Sequence, residues 1–119
     1  MALYAGIDCG TQGTRVVIVN SEQGAIVGEG SAPHRLQSDA DGTREQHASE
    51  WIDALVTAFH QAASDAGIDT QQITALSVSG QQHGFVALDE AGAVLHPVKL
   101  WCDTATDAQN SWLLQQLGG

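Results

Sequence analysis

Basic residues are scarce: four lysines and arginines stand against fourteen aspartates and glutamates in 119 residues, a formal net charge of −10. Arg15, Arg35, Arg44 and Lys99 are also too dispersed to form a patch, which argues against a nucleic-acid surface. Long apolar runs are missing too. No stretch of about 18 apolar residues appears, and no basic segment followed by a hydrophobic core opens the chain, so neither a membrane span nor a signal peptide is indicated. A cytoplasmic location is the corresponding expectation. Cysteine is limited to Cys9 and Cys102, whose separation matches no metal-binding spacing. Two thiols without a secretory signal are expected to be free, with Cys9 a small buried hydrophobe. What remains is 43% apolar, enough to build a core in one domain of ordinary size.

The most informative stretch is Gly6-Ile7-Asp8-Cys9-Gly10-Thr11-Gln12-Gly13-Thr14-Arg15. Tyr4 to Ile7 and Val16 to Val19 read as strands, so Gly10 and Gly13 punctuate a tight connection between them. The turn lacks the Lys-Ser/Thr pair of a Walker A loop. It also opens onto a strand, whereas a dinucleotide-binding G-x-G-x-x-G opens a helix. Two readings stay open here: an ordinary hairpin whose glycines serve the turn, or a phosphate hairpin whose N–H groups and Thr11 hydroxyl face anionic oxygens. A carboxylate at the end of a buried strand favours the second, because a cation or a phosphate–metal complex explains it.

A third strand over Ala25 to Gly30 would complete an antiparallel meander. Ser31 to Gln46 is polar and aperiodic, and reads as an extended surface loop. Ser49 to Ala66 is the clearest helix, with Trp51, Leu55, Phe59, Ala62 and Ala66 forming a stripe flanked by Ile52, Val56 and Ala63. Gly67 stops it. Trp51 reads as core and His60 as a helix-surface histidine. Ile73 to Ser79 should pair parallel with the first strand after a right-handed crossover. It leads into Ser79-Gly80-Gln81-Gln82-His83-Gly84, beyond the carboxyl end of a strand, where open α/β sheets bind small ligands.

Phe85–Leu88 and Val94–Leu95 flank a turn signal and predict a hairpin. A last helix is expected after Asp103, burying Ala105, Ala108, Trp112, Leu113 and Leu117 on one face. Asp103 reads either as its N-cap or as a ligand-binding carboxylate, and Trp101 either as core or as a pocket wall.

The motifs GIDCGTQGTR, SGQQHG and LWCD, in this order, resemble the FGGY family of carbohydrate kinases, and Glu45-Gln46 before Trp51 resembles the family's entry into its first helix. The resemblance covers essentially the whole chain and is strongest to the branch that phosphorylates D-xylulose. It implies an α/β fold of the actin-like, ribonuclease-H-like ATPase type, with a mixed five-stranded sheet and helices. Residues 1–119 would be the N-terminal, sugar-side part of the first of two domains. The nucleotide-binding domain and the catalytic base would lie outside it, leaving this part inactive alone.

Carried over by resemblance, Asp8 would orient hydrated Mg²⁺, while Thr11, Gln12, Gly13 and Arg15 would contact the phosphates of ATP. Gln82 and His83 match the sugar-binding pair, and Trp101 and Asp103 would complete the pocket. Glycerol kinases resemble an Arg-Glu pattern at the Gln-His position, so a ketopentose is favoured over glycerol. The implied partners are ATP and a small sugar, with a homodimer among the assemblies allowed. Cys9, Cys102 and Ala105 depart from the family's more usual residues. A different class of function, a noncatalytic sugar-binding module, is the competing expectation.

Overall fold

A computed structural model describes residues 2–119. Strands β1 (Leu3–Cys9), β2 (Gly13–Asn20) and β3 (Ala25–Pro33) form the anticipated meander, with β1–β2 and β2–β3 antiparallel. Helix α1 (Ala48–Ala66) then leads through a single 3-10 turn to β6 (Ile73–Gly80), which pairs parallel with β1. The order β3-β2-β1-β6 makes a mixed sheet of four strands among the described residues, one fewer than the resemblance implied.

The segment expected to be a featureless loop is structured. Its start extends β3 to Pro33, and its remainder supplies β4 (Gln37–Ser38) and β5 (Arg44–Gln46), which with β7 (Val98–Lys99) form a small second sheet in the order β4-β5-β7. His34, Thr43 and Gln46 are buried there, although their polarity suggested a surface. Their hydrogen bonds, rather than apolar periodicity, hold this region, and a periodicity argument cannot detect that.

The core lies between the sheet and α1. Leu3, Ile7, Val16, Ile18 and Ala32 face Ala54, Ala58, Ala62 and Ala63. The β-branched residues of β2 suit a pleated, half-buried surface, and alternate ones point inward. The helix contributes alanines because its backbone comes unusually close: a Cβ on Gly28 would lie 2.3 Å from the Ala62 oxygen, and one on Gly30 2.1 Å from the Ala58 oxygen. Leu55 and Phe59 therefore flank the contact, while Ile52 and Val56, expected to flank the stripe, are 64% and 46% exposed. On the outer edge of β3, α1 side chains take the place of another strand. Asp65 Oδ2 accepts from Glu29 N at 3.0 Å and Gln61 Oε1 from Ser31 N at 3.1 Å, blunting that edge.

Gly67 ends α1 as anticipated, in the left-handed region at φ 67°. Its N–H reaches Ser64 O, and the Ile68 N–H reaches Ala63 O, so two orphan carbonyls are satisfied.

The far side is less covered. In β6, Leu76 and Val78 are each 56% exposed. The predicted hairpin at Phe85–Leu95 reduces to one bridge, Leu88 to Val94, around the Asp89–Gly92 turn. Helix α2 (Asp107–Leu117) starts later than expected and is capped in position by Thr106, not Asp103. The expected buried face of α2 is also absent, since Trp112, Leu113 and Leu117 are at least half exposed. The radius of gyration, 18.5 Å, exceeds the roughly 13–14 Å of a compact domain of this length, consistent with these outlying pieces.

Candidate functional site

Strands β1 and β6 run parallel and end together, Cys9 beside Gly80. The β1–β2 turn, the loop after β6, the end of β5 and the residues after β7 all gather at those carboxyl ends. Gly10 N donates to Gly13 O at 3.0 Å and closes the turn. Among the described residues, the N–H groups of Thr11 and Gln12 have no protein partner, which leaves two donors for anionic oxygens.

Asp8 lies on the sheet face opposite α1 and is exposed; Arg15 is its cross-strand partner in register. The guanidinium turns the other way, however, and pairs with Glu29 at 2.7 Å. The one basic residue next to the turn therefore already has a counter-charge. The Asp8 carboxylate itself has no ion pair among the described residues.

The Thr11 hydroxyl is also committed within the protein. It donates to Gln81 Oε1 at 2.8 Å and accepts from Trp101 Nε1 at 3.0 Å. Of the anticipated phosphate contacts, the turn backbone is thus the most available element. Sequence reasoning missed the residues that hold this turn. Gln46, only 2% exposed, donates from Nε2 to the Thr11 carbonyl. On the other side, the His34 N–H donates to Gln12 O at 2.9 Å, and its Nε2 lies 2.8 Å from Thr14 Oγ1. The buried His34 Nδ1 has no partner among the described residues.

Beside the turn is a cavity of about 290 Å³ lined in part by Cys9, Trp51, Gly80, Gln81, His83 and Val86. Cys9 is therefore partly exposed rather than buried core, and Trp51 borders an open space rather than serving only as packing. His83 sits at φ 64°, the only described residue other than glycine in the left-handed region. Such strain concentrates at ligand sites, and histidine tolerates this conformation better than most residues. Gln82 is exposed next to it, and Trp101 is 60% exposed at the turn.

Asp103 is placed differently from the other expected sugar contacts. Its side chain is 4% exposed. Oδ2 accepts from Arg44 N at 2.8 Å and from Lys99 Nζ at 3.4 Å, and Oδ1 accepts from Ala105 N at 3.0 Å. The Arg44 hydrogen bond, followed by those from Ala105 and Lys99, holds its carboxyl below the usual carboxylate range against the opposing effect of burial. Lys99 is correspondingly raised, chiefly by Glu45 at 3.1 Å. Asp103 thus ties β5 to β7 rather than capping α2.

A lowered folded-state value means that ionised Asp103 stabilises the fold above its unfolded value near pH 3.9, and that this contribution is lost as pH falls through the lower folded value. Asp103→Asn should therefore reduce stability at neutral pH and flatten the stability curve below about pH 4, as measured by urea unfolding across pH. An unchanged acid limb would remove Asp103 from that role.

The family model for the N-terminal domain of the FGGY carbohydrate kinases matches residues 3–118. The chain belongs to the FGGY family of carbohydrate kinases. It is 41% identical to a xylulose kinase of Haemophilus influenzae over 98% of this chain and 24% of that one. Among solved structures, it superposes on a xylulose kinase from Bifidobacterium adolescentis with a TM-score of 0.76 at 36% identity, covering 98% of this chain and 21% of that one. It also resembles a gluconate kinase from Lactobacillus acidophilus, with a TM-score of 0.78 at 26% identity over 97% and 24% of the two chains. The chain spans about a quarter of the length of the first curated relatives it matches. These FGGY likenesses establish the actin-like, ribonuclease-H-like sheet described above. No described helix is long and apolar enough to cross a membrane.

Proposed function

We propose that these residues are the N-terminal part of a two-domain ATP-dependent kinase that phosphorylates D-xylulose to xylulose 5-phosphate. The observation that carries this reading is the convergence at the ends of β1 and β6 of a free carboxylate, a turn with two unpaired N–H groups, and the His83-lined cavity. The likeness to xylulose kinases supports the ketopentose as acceptor.

Asp8 fits the handling of hydrated Mg²⁺. No cluster of three or more potential metal ligands occurs among the described residues, and Mg²⁺ usually keeps several waters while using one or two carboxylates plus phosphates. When bound, the ion would offset charge on the transferring phosphoryl group. The turn N–H groups of Thr11 and Gln12 would take phosphate oxygens, with Gly13 allowing the close approach and Arg15 adding charge if released from Glu29. Gln82 and His83 can each donate to and accept from vicinal hydroxyls, which suits a sugar. Trp101 would form an apolar wall, and Asp103 would shape the pocket through β7. The deprotonating base belongs to the part of the enzyme outside residues 1–119.

Steady-state assay of the intact parent protein with ATP–Mg²⁺ and a panel of sugars tests this. D-xylulose should give the highest kcat/KM, and no xylulose-dependent ADP release would overturn the reading. A preference for gluconate or another polyol would favour the second reading, a sister activity in the same family, to which the gluconate kinase likeness points. In the same assay, His83→Ala should raise the sugar KM by about tenfold or more, the loss of one or two good hydrogen bonds, with the ATP KM nearly constant. Equal effects on both would make His83 structural.

A further inference from the structure

Five polar side chains form a connected hydrogen-bond network between the phosphate turn and the sugar loop. Trp101 Nε1 donates to Thr11 Oγ1, which donates to Gln81 Oε1; Gln81 Nε2 donates to Gln46 Oε1 at 3.1 Å. Trp51 Nε1 donates to the same Gln46 oxygen at 2.9 Å, and Gln46 Nε2 donates to the Thr11 carbonyl.

Both ends of this network are indole N–H groups, which can only donate. That fixes every group between them. Gln46 must present its oxygen to Trp51, so its amide faces Thr11. Gln81 must then turn its amide toward Gln46 and its oxygen toward Thr11. Thr11 must donate to Gln81 and accept from Trp101. Only one arrangement of protons satisfies the set, so the network holds a single geometry rather than a family of them.

Its members come from the β1–β2 turn, the end of β5, the first turn of α1, the loop after β6 and the second residue after β7. Gln81 directly precedes Gln82 and His83. A sugar that orders this loop therefore orders Gln81, and through Gln81 and Gln46 it fixes Thr11, whose N–H faces the phosphate position. The geometry points to Gln46 and Gln81 as positioning residues that couple sugar occupancy to the phosphate turn, each ligand tightening the binding of the other. This rests on the kinase reading above.

Coupling of this kind is reciprocal and is read as a ratio of dissociation constants. The test uses the intact parent protein, D-xylulose and a non-hydrolysable ATP analogue with Mg²⁺, followed by calorimetry. In the unmodified protein, saturating analogue should tighten xylulose binding by about fivefold or more. Gln46→Glu is nearly isosteric and keeps the oxygen that accepts from Trp51 and Gln81, but loses the donor to Thr11. It should bring the ratio to within about twofold of one, while xylulose affinity without nucleotide stays within about threefold.

A second variant, Thr11→Ser, keeps the hydroxyl and the carbonyl and should retain the coupling. If both ligands bind the unmodified protein without influencing each other, or if Gln46→Glu leaves the ratio unchanged, the coupling role is overturned while the kinase reading stands. If neither ligand binds, both fail. Should Gln46→Glu not fold, the Gln81→Glu variant, which loses the donor to Gln46, gives the same readout.

Discussion

Replacing Asp8 by asparagine in the intact protein is expected to lower kcat by about 100-fold or more and to raise the Mg²⁺ concentration needed for half-maximal rate, with the sugar KM within about twofold. The argument rests on what surrounds the carboxylate. Asp8 ends β1 on the open face of the sheet, and the guanidinium across from it is held by Glu29 at 2.7 Å. Among the described residues no cation pairs with it, which leaves its charge available to a ligand on the kinase reading proposed above. Asparagine preserves the shape and removes the charge, which separates an electrostatic role from a packing one. Rates measured across a Mg²⁺ series decide the matter, and an unaltered metal dependence would remove Asp8 from the phosphoryl-transfer machinery.

The second large effect concerns stability. Gly30→Ala places a Cβ 2.1 Å from the Ala58 carbonyl oxygen and 2.7 Å from the Ala62 nitrogen. Both obstacles are helix backbone, so neither can swing aside as a long side chain would. Helix α1 must lift from β3, loosening the alanine face that meets Val16 and Ile18. A loss of about 3 kcal/mol is expected, at the upper end of overpacking costs. The control is Gly24→Asn: Gly24 has φ 62°, which asparagine tolerates, and nothing lies within 4 Å of its Cβ position. Urea midpoints should fall steeply for the first variant and barely for the second. A small effect at Gly30 would mean that the helix packs farther from the sheet.

Much of the fold was legible because its signals are local. The short apolar run of β1, the β-branched run of β2, the stripe of α1 and the stop at Gly67 each announce themselves within a few residues. The parallel pairing of β6 followed from the helix between the strands. The stretch between β3 and α1 reads as a surface loop because its burial rests on polar residues that no period marks: Gln46 is placed by Thr11 and Gln81, each thirty-five residues away, and His34 by Thr14, twenty away. Helix α2 failed the other way. Its apolar residues have helical spacing, yet spacing alone does not supply a surface to pack against.

At the candidate site, the loops singled out in the sequence meet at the ends of β1 and β6, but their wiring was not legible. Gln81 lies inside the SGQQHG motif beside Gln82 and His83, and its role depends on Thr11, seventy residues away. Asp103 reads from sequence as cap or ligand; it does not cap α2, and its oxygens accept from Arg44 and Ala105. A hint existed in Glu45-Gln46 preceding Trp51, since an amide five residues before an indole can meet its N–H once the chain enters a helix.

The uncovered edge of β6 has a consequence for handling. A strand with an unpaired side and half-exposed leucine and valine on it is a template for another extended segment, including the same strand of a second copy. Residues 1–119 prepared alone should therefore associate as concentration rises, by sheet growth at β6 rather than at β3, whose edge Asp65 and Gln61 already cap. A lysine placed at Val78 would be the simplest means of keeping such a preparation dispersed.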